Sequence, residues 1–125
     1  MAFSNQALQA IEAFAGSLGV PLTPAPDGSY SFVFERSGTL TLTSASDGER
    51  TLVSLAVRLH RLDQEIEARL LALAGPDMTT ERFLSTGLTR HGEAMFVVSI
   101  HDGEISLPVL ETCMQQIFAA RAAIA

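Results

Sequence analysis

The chain has 125 residues, of which 47% are apolar, and its 14 acidic against 8 basic side chains give a formal charge of -6. This length holds one domain with a substantial core and excludes a two-domain enzyme. The acidic balance repels a phosphate backbone, so no nucleic acid is expected as a partner.

All basic residues are arginines, which excludes mechanisms that depend on a lysine amine, such as Schiff-base formation. The one cysteine, Cys113, cannot form an internal disulfide, which fits a reducing compartment. No basic residue precedes Arg36 and no apolar run is long enough to span a bilayer, so we expect a cytoplasmic protein without membrane insertion. The mean hydropathy of +0.27 is high for so short a chain and predicts an oligomer or a binder of apolar partners.

The first predicted element is a helix from Ser4 to Leu18. Its apolar residues recur at the three- and four-residue spacing of one helical face: Ala7, Leu8, Ile11, Phe14, Ala15 and Leu18. Ser4 suits the N-cap, and Gly19 suits the left-handed position past the helix end. Three prolines in residues 20–28 then predict a loop.

Alternation of apolar and polar residues next predicts a three-stranded antiparallel meander. The first strand carries an aromatic face formed by Tyr30, Phe32 and Phe34. The second contains Leu40 and Leu42, and a turn at residues 47–48 leads to the third, over residues 53–59.

Helical spacing returns in a second helix, with Asp63 as its cap and Gly75–Pro76 as its end; its apolar residues are Leu62, Ile66, Leu70 and Leu73. Two strands, over residues 84–88 and 95–100, form a predicted hairpin. Pro108 suits the first turn of a last helix, whose inner stripe is Leu110, Cys113, Met114, Ile117 and Phe118. The predicted fold class is α+β, a single domain over residues 1–125 in which helices pack on one twisted antiparallel sheet.

The residues that could carry chemistry do not form a recognisable site. His60, His91 and His101 lack the spacing of metal ligands, and His101 with Asp102 is better explained as part of a turn. Cys113 lies on an apolar stripe, where a thiol behaves as a small hydrophobe. We therefore predict no catalytic residue, no metal and no cofactor.

Two apolar features allow more than one interpretation. The aromatic face of the first strand is either core or, in part, the lining of a groove. The first helix raises the same question, because Phe3, Leu8, Ile11, Phe14 and Leu18 exceed what a single helix-sheet contact requires.

The order of elements resembles that of the class I chaperones of bacterial type III secretion, the Tir-chaperone or CesT-like family. The resemblance extends along the whole chain. It is carried by the end of the first helix at residues 18–20, the alternating strands, the leucine-rich residues 69–73 and the tail at residues 102–110.

This resemblance implies a bacterial homodimer that binds an N-terminal segment of a secreted effector protein and keeps it ready for export without ATP hydrolysis. Seven residues are thereby expected to bind the client: Leu8, Ile11, Phe14, Phe32, Phe34, Leu40 and Leu42. Five are expected at the dimer interface: Ile66, Leu70, Leu73, Leu84 and Leu88. A domain that binds a small apolar ligand and a small enzyme with a cryptic site remain as alternatives.

Overall fold

A computed structural model describes residues 3–61 and 63–124 of the chain. Three helices and six strands lie in these ranges. The helices are α1 (Asn5–Leu18), α2 (Gln64–Ala72) and α3 (Leu107–Ala123). The strands are β1 (Tyr30–Phe34), β2 (Gly38–Ser44), β3 (Arg50–Arg58), β4 (Gly75–Pro76), β5 (Phe83–Leu88) and β6 (Glu93–His101). The predicted α+β class is confirmed, and Leu62 of the predicted second helix lies outside the described residues.

Each helix begins at a side chain that satisfies one of its free amides. The Ser4 hydroxyl accepts from the Ala7 N–H at 3.1 Å, and the Asp63 carboxylate accepts from the Ile66 N–H at 2.9 Å. Both predicted caps are thereby confirmed. Ser106 caps α3 in the same way, although this cap was not predicted, and Pro108 lies in its first turn as predicted.

The strands form one antiparallel sheet in the order β1-β2-β3-β6-β5-β4. The predicted meander and hairpin are therefore joined along β3 and β6, which pair over their full lengths, from Arg50 opposite His101 to Arg58 opposite Glu93. β4 was not predicted. The second helix ends before the predicted stop, at Ala72 with Leu73 as its C-cap, and Gly75–Pro76 pairs with the start of β5.

All three helices lie on the same face of the sheet. Rings on α1 and α3 pack against aromatic side chains of β1, and the Thr86 hydroxyl of β5 donates to the Leu70 carbonyl of α2 at 2.8 Å. The register places Thr86 on the same face as those rings, because residues directly across a ladder share a face.

The core lies between the helices and this face. Its strand members alternate along β3 and β6, where Val53 lies opposite Val98 and Leu55 opposite Phe96. The opposite face is covered by none of the described helices, and Leu52 and Val97 on it are half-buried. No helix within residues 3–61 and 63–124 combines the length and the apolar character needed to cross a membrane.

Gly38 allows the close approach of β2 to β3. It has φ 117°, and a Cβ at this position would lie 2.4 Å from the Ala56 carbonyl oxygen. Only glycine combines this backbone conformation with the absence of a side chain. The aromatic strand β1 is thereby held beside the rest of the sheet, because Gly38 begins the strand that pairs with it.

Candidate functional site

The aromatic face of β1 packs against the helices. Phe32 meets Phe14 of α1 with ring centroids 5.5 Å apart, and Phe34 meets Phe118 of α3 at 5.3 Å, both edge to face. Tyr30 lies 5.7 Å from Phe3. These contacts support the core interpretation of the aromatic face.

Burial separates the seven residues expected to bind the client into two sets. In the single chain Ile11, Phe14, Phe32, Leu40 and Leu42 are buried. Leu8 and Phe34 are half-buried. The buried set is therefore accessible only where it borders a surface opening.

One such opening runs along the free edge of β1. A cavity of about 200 Å³ lies there, between the strand and the chain that leaves α1. We call it the β1-edge groove, and it is lined by Leu18, Val20, Pro21, Ser31, Phe32, Val33 and Phe34. Phe32 and Phe34 thus pack against the helices and also border this groove. The aromatic face is therefore part of the core and, in part, the lining of a groove.

Val20 and Val33 make the groove attractive to an apolar partner. Val33 is 75% exposed and Val20 is 41% exposed, and because both line the same cavity they form an apolar rim on it. Neither valine was among the predicted site residues. The available signal was the position of Val33, an apolar residue on the polar side of the alternation in β1.

The backbone of β1 adds hydrogen-bonding capacity to the groove. β1 is the terminal strand of the described sheet and pairs on one side only, with β2. The amides and carbonyls that point away from β2 form a template for a further strand. The groove therefore offers apolar contacts and main-chain hydrogen bonds at the same place.

Residues expected at the dimer interface also divide by burial. Ile66, Leu70 and Leu84 are buried within the single chain, Leu73 is half-buried and Leu88 is exposed. Exposed apolar side chains do occur in this part of the chain: Leu71, Met78, Phe83 and Leu88. We call these four residues the α2–β5 set.

The residues considered for chemistry, His101, Asp102 and Cys113, have structural contacts. Among the described residues no group of three or more His, Cys, Asp or Glu side chains could hold a metal ion. His101 Nδ1 accepts from the Gly103 N–H at 3.0 Å, and the buried Asp102 carboxylate instead accepts from the Thr51 hydroxyl at 3.0 Å. These contacts are those of a turn. Burial raises the pKa of the Cys113 thiol to about 11, which disfavours the nucleophilic thiolate.

Solved structures share this arrangement of elements. A chain in the HopA1-SchA chaperone-effector complex is 21% identical, with a TM-score of 0.70, over 94% of this chain and 91% of that one. A chain in the complex of the Yersinia pestis type III secretion chaperone SycH with a fragment of YscM2 is 9% identical, with a TM-score of 0.73, over 97% and 100% of the two chains. The ExsC-ExsE complex contains a chain that is 19% identical, with a TM-score of 0.73, over 97% and 92%.

The chain has the fold of type III secretion chaperones. The match covers nearly the whole of both chains, so the likeness extends over all the elements described above. No protein-family model matches the sequence, and no curated protein matches it. The likeness therefore lies in the path of the backbone, which agrees with the resemblance found in the order of the elements.

Proposed function

We propose that this protein is a type III secretion chaperone that binds an N-terminal segment of an effector protein in extended form, without catalysis or ATP hydrolysis. The observation that carries the proposal is the β1-edge groove, where an unpaired strand edge lies beside the exposed side chains of Val20 and Val33. The shared fold supports it, because SchA and SycH occur in complexes with other proteins.

The groove suggests how a client segment is held. A client strand added to β1 would gain main-chain hydrogen bonds, and alternate client side chains would enter the groove beside Val33, Phe32 and Phe34. The predicted contacts of Ile11, Phe14, Leu40 and Leu42 are then indirect. These side chains support the wall of the groove from within the core.

The α2–β5 set supports a homodimer as the active form. Exposed apolar residues that recur over α2, the β4–β5 turn and β5 would be buried by a second copy of the chain. Leu88 belongs to the interface expected from the resemblance, and Leu73 lies half-buried at the end of α2. A bacterial cytoplasmic location is part of the same proposal, since a client must be held before export.

Capture of a client during co-expression tests the proposal. The probe is the N-terminal 150 residues of the protein encoded beside this gene, and Val33→Asp is the decisive variant. We expect the parent chain to co-purify with this segment and Val33→Asp to lose it, because a carboxylate in the groove would lack a partner. Ser46→Asp, at an exposed turn away from the groove, is the matched control and should retain the client.

Equal capture by the parent and Val33→Asp would remove the groove from the proposal. If the parent chain captured no N-terminal segment from any protein encoded beside this gene, the chaperone function would be rejected. The alternative of a small apolar ligand is not favoured, because three cavities among the described residues, of about 200, 240 and 300 Å³, lie at or below the lower end of the roughly 300–1,000 Å³ typical of ligand sites.

A further inference from the structure

Half of the arginines of this acidic chain surround one small cavity. It has a volume of about 240 Å³ and lies where the β3–α2 connection meets α2 and the last turn of α3. Four of the 8 basic residues line it: Arg58, Arg61, Arg69 and Arg121. His60 lies on the same wall. In a chain with a formal charge of -6, this concentration of guanidinium groups creates a local positive potential.

Two of the four arginines have no carboxylate partner among the described residues. Arg61 pairs with Asp63 at 3.1 Å, and Arg69 pairs with Glu65 at 2.7 Å. No ion pair within 4.0 Å joins Arg58 or Arg121 to any described acidic side chain, although Glu93 lies across the ladder from Arg58. The cavity therefore retains positive charge that the described part of the chain does not neutralise.

Arg121 has an unused donor at this site. Its terminal nitrogen donates to the Arg36 carbonyl at 3.3 Å. Its Nε is buried and has no hydrogen-bond partner in the described structure. Buried donors are normally satisfied, so the guanidinium of Arg121, which lines the cavity, carries a charge that the described residues leave partly uncompensated.

The remaining lining residues limit the kind of anion. Leu59, Ile66 and Ile124 are apolar, and Ile66 and Ile124 are buried. Phosphate would pair with the same arginines, but it would leave these apolar side chains without a packing partner. A carboxylate on a short hydrocarbon stem would instead pair with the arginines and pack its stem against the apolar wall.

We propose that this cavity binds the side chain of a glutamate or aspartate, next to an apolar residue, in an extended peptide held by the protein. Its volume is smaller than the roughly 300 Å³ lower limit of typical small-molecule sites and suits one or two side chains. That the peptide belongs to the client rests on the proposed function. The site itself rests only on the cavity.

Titrations followed by ¹⁵N nuclear magnetic resonance of the full chain test the site. The peptide probes are two capped tripeptides, acetyl-Leu-Glu-Leu-amide and acetyl-Leu-Gln-Leu-amide. Hexanoate, hexylammonium and inorganic phosphate are titrated separately. We expect the glutamate peptide to shift the Arg121 Nε–H signal and the Leu59 and Ile124 amides, with an affinity at least fivefold above that of the glutamine peptide and of phosphate. Hexylammonium should cause no shift.

Arg58→Gln and Arg121→Met should each weaken binding of the glutamate peptide at least fivefold, because each removes a guanidinium from the wall. Arg90→Gln, in the exposed β5–β6 turn and outside the cavity lining, is the matched control and should bind as the parent does. Thermal melts accompany all three variants. If Arg121→Met fails to fold, the exposed Arg58 gives the deciding result.

Equal responses to phosphate and the glutamate peptide, or unchanged binding in Arg58→Gln, would overturn the proposal. Binding of hexanoate without the peptide would make the cavity a site for free carboxylic acids and also overturn it. Failure of client capture with intact peptide binding would reject the chaperone function and leave the site standing. Client capture without peptide binding would reject only the site.

Discussion

The rings of Phe14 and Phe32 meet edge to face, with centroids 5.5 Å apart and planes at 88°. Phe14 is 1% exposed and Phe32 is 6% exposed. This pair joins α1 to the aromatic strand, so two residues expected to bind a client also hold the core together. Their substitution would affect stability before it affected binding.

Aspartate substitutions on α1 distinguish core from surface positions. Ile11→Asp and Phe14→Asp should unfold the protein, because an unpaired carboxylate would be buried at positions that are at most 1% exposed. Leu8→Asp should remain folded with a lower melting temperature, since Leu8 is half-buried. Circular dichroism melts of the three variants measure this difference. A folded Phe14→Asp chain with the parent's melting temperature would contradict the packing described for the pair.

The α2–β5 set predicts a separation between association and folding. Leu71→Asp should weaken dimerisation by at least about tenfold, or ~1.4 kcal/mol, while the single chain keeps its fold, because Leu71 is 68% exposed. Leu70→Asp is the matched control on the same helix. It should unfold the chain, since Leu70 is 1% exposed.

Light scattering across a concentration series, with melts of both variants, measures this separation. A parent chain with a mass near 13.4 kDa at micromolar concentration would reject the dimer. An unchanged association constant in Leu71→Asp would place the interface elsewhere on the molecule.

Two glycine-to-alanine substitutions should have opposite effects on stability. Gly38→Ala should destabilise the protein by at least ~2 kcal/mol, because its Cβ would meet the Ala56 oxygen and its φ of 117° disfavours a side chain. Gly16→Ala should stabilise it by about 0.5–1 kcal/mol, because a Cβ there meets nothing within 4 Å and alanine has a higher helix propensity than glycine. Urea unfolding of both variants gives the two signs, and destabilisation in Gly16→Ala would contradict the open space found beside that residue.

Cys113 predicts a loss of stability in alkaline solution. Burial raises the pKa of its thiol from 9.0 to about 11, so folding favours the protonated form. Below pH 9 the thiol is mostly protonated in both the folded and the unfolded chain. The free energy of unfolding therefore does not change with the titration of this thiol in that range. Between pH 9 and about 11 the unfolded chain releases the proton more readily, so the free energy of unfolding falls.

Comparison of the parent with Cys113→Ala isolates the effect of this thiol. The difference in unfolding free energy between the two proteins should shift in favour of the alanine variant as the pH rises from 8 to 10.5. In the folded parent, iodoacetamide should react with Cys113 much more slowly than in the urea-unfolded chain, since the thiol is buried. Equal alkylation rates in the two states would show that Cys113 is accessible.

Local patterns were sufficient for most of the secondary structure. Ser4 and Asp63 were identified as caps because a cap acts on amides within a few residues of itself. The alternation in β3 and β6 likewise reports which residues share a face. β4 escaped detection because two residues carry no periodicity, and Gly75–Pro76 otherwise has the composition of a helix stop.

The candidate site depended more strongly on the tertiary structure. Phe32 and Phe34 were identified from their alternation, yet the pattern could not distinguish a buried ring from one that borders a groove. Val20 lies in a proline-containing loop, and its place beside Val33 results from the return of the chain past the end of α1. Such a juxtaposition joins residues 13 positions apart, beyond the range of a single helix or strand pattern.

The sequence by itself determined where the helices and the main strands form and which of their faces are apolar, because propensity, capping and periodicity act over a few residues. Only the tertiary structure decided that β6 lies between β3 and β5, since the pairing of Val53 with Val98 depends on which buried surfaces fit together across the chain. The same long-range packing left β1 as a free edge and brought Arg58 and Arg121 to one cavity. These two features support the proposals for client and carboxylate binding, and both arise from contacts between distant segments.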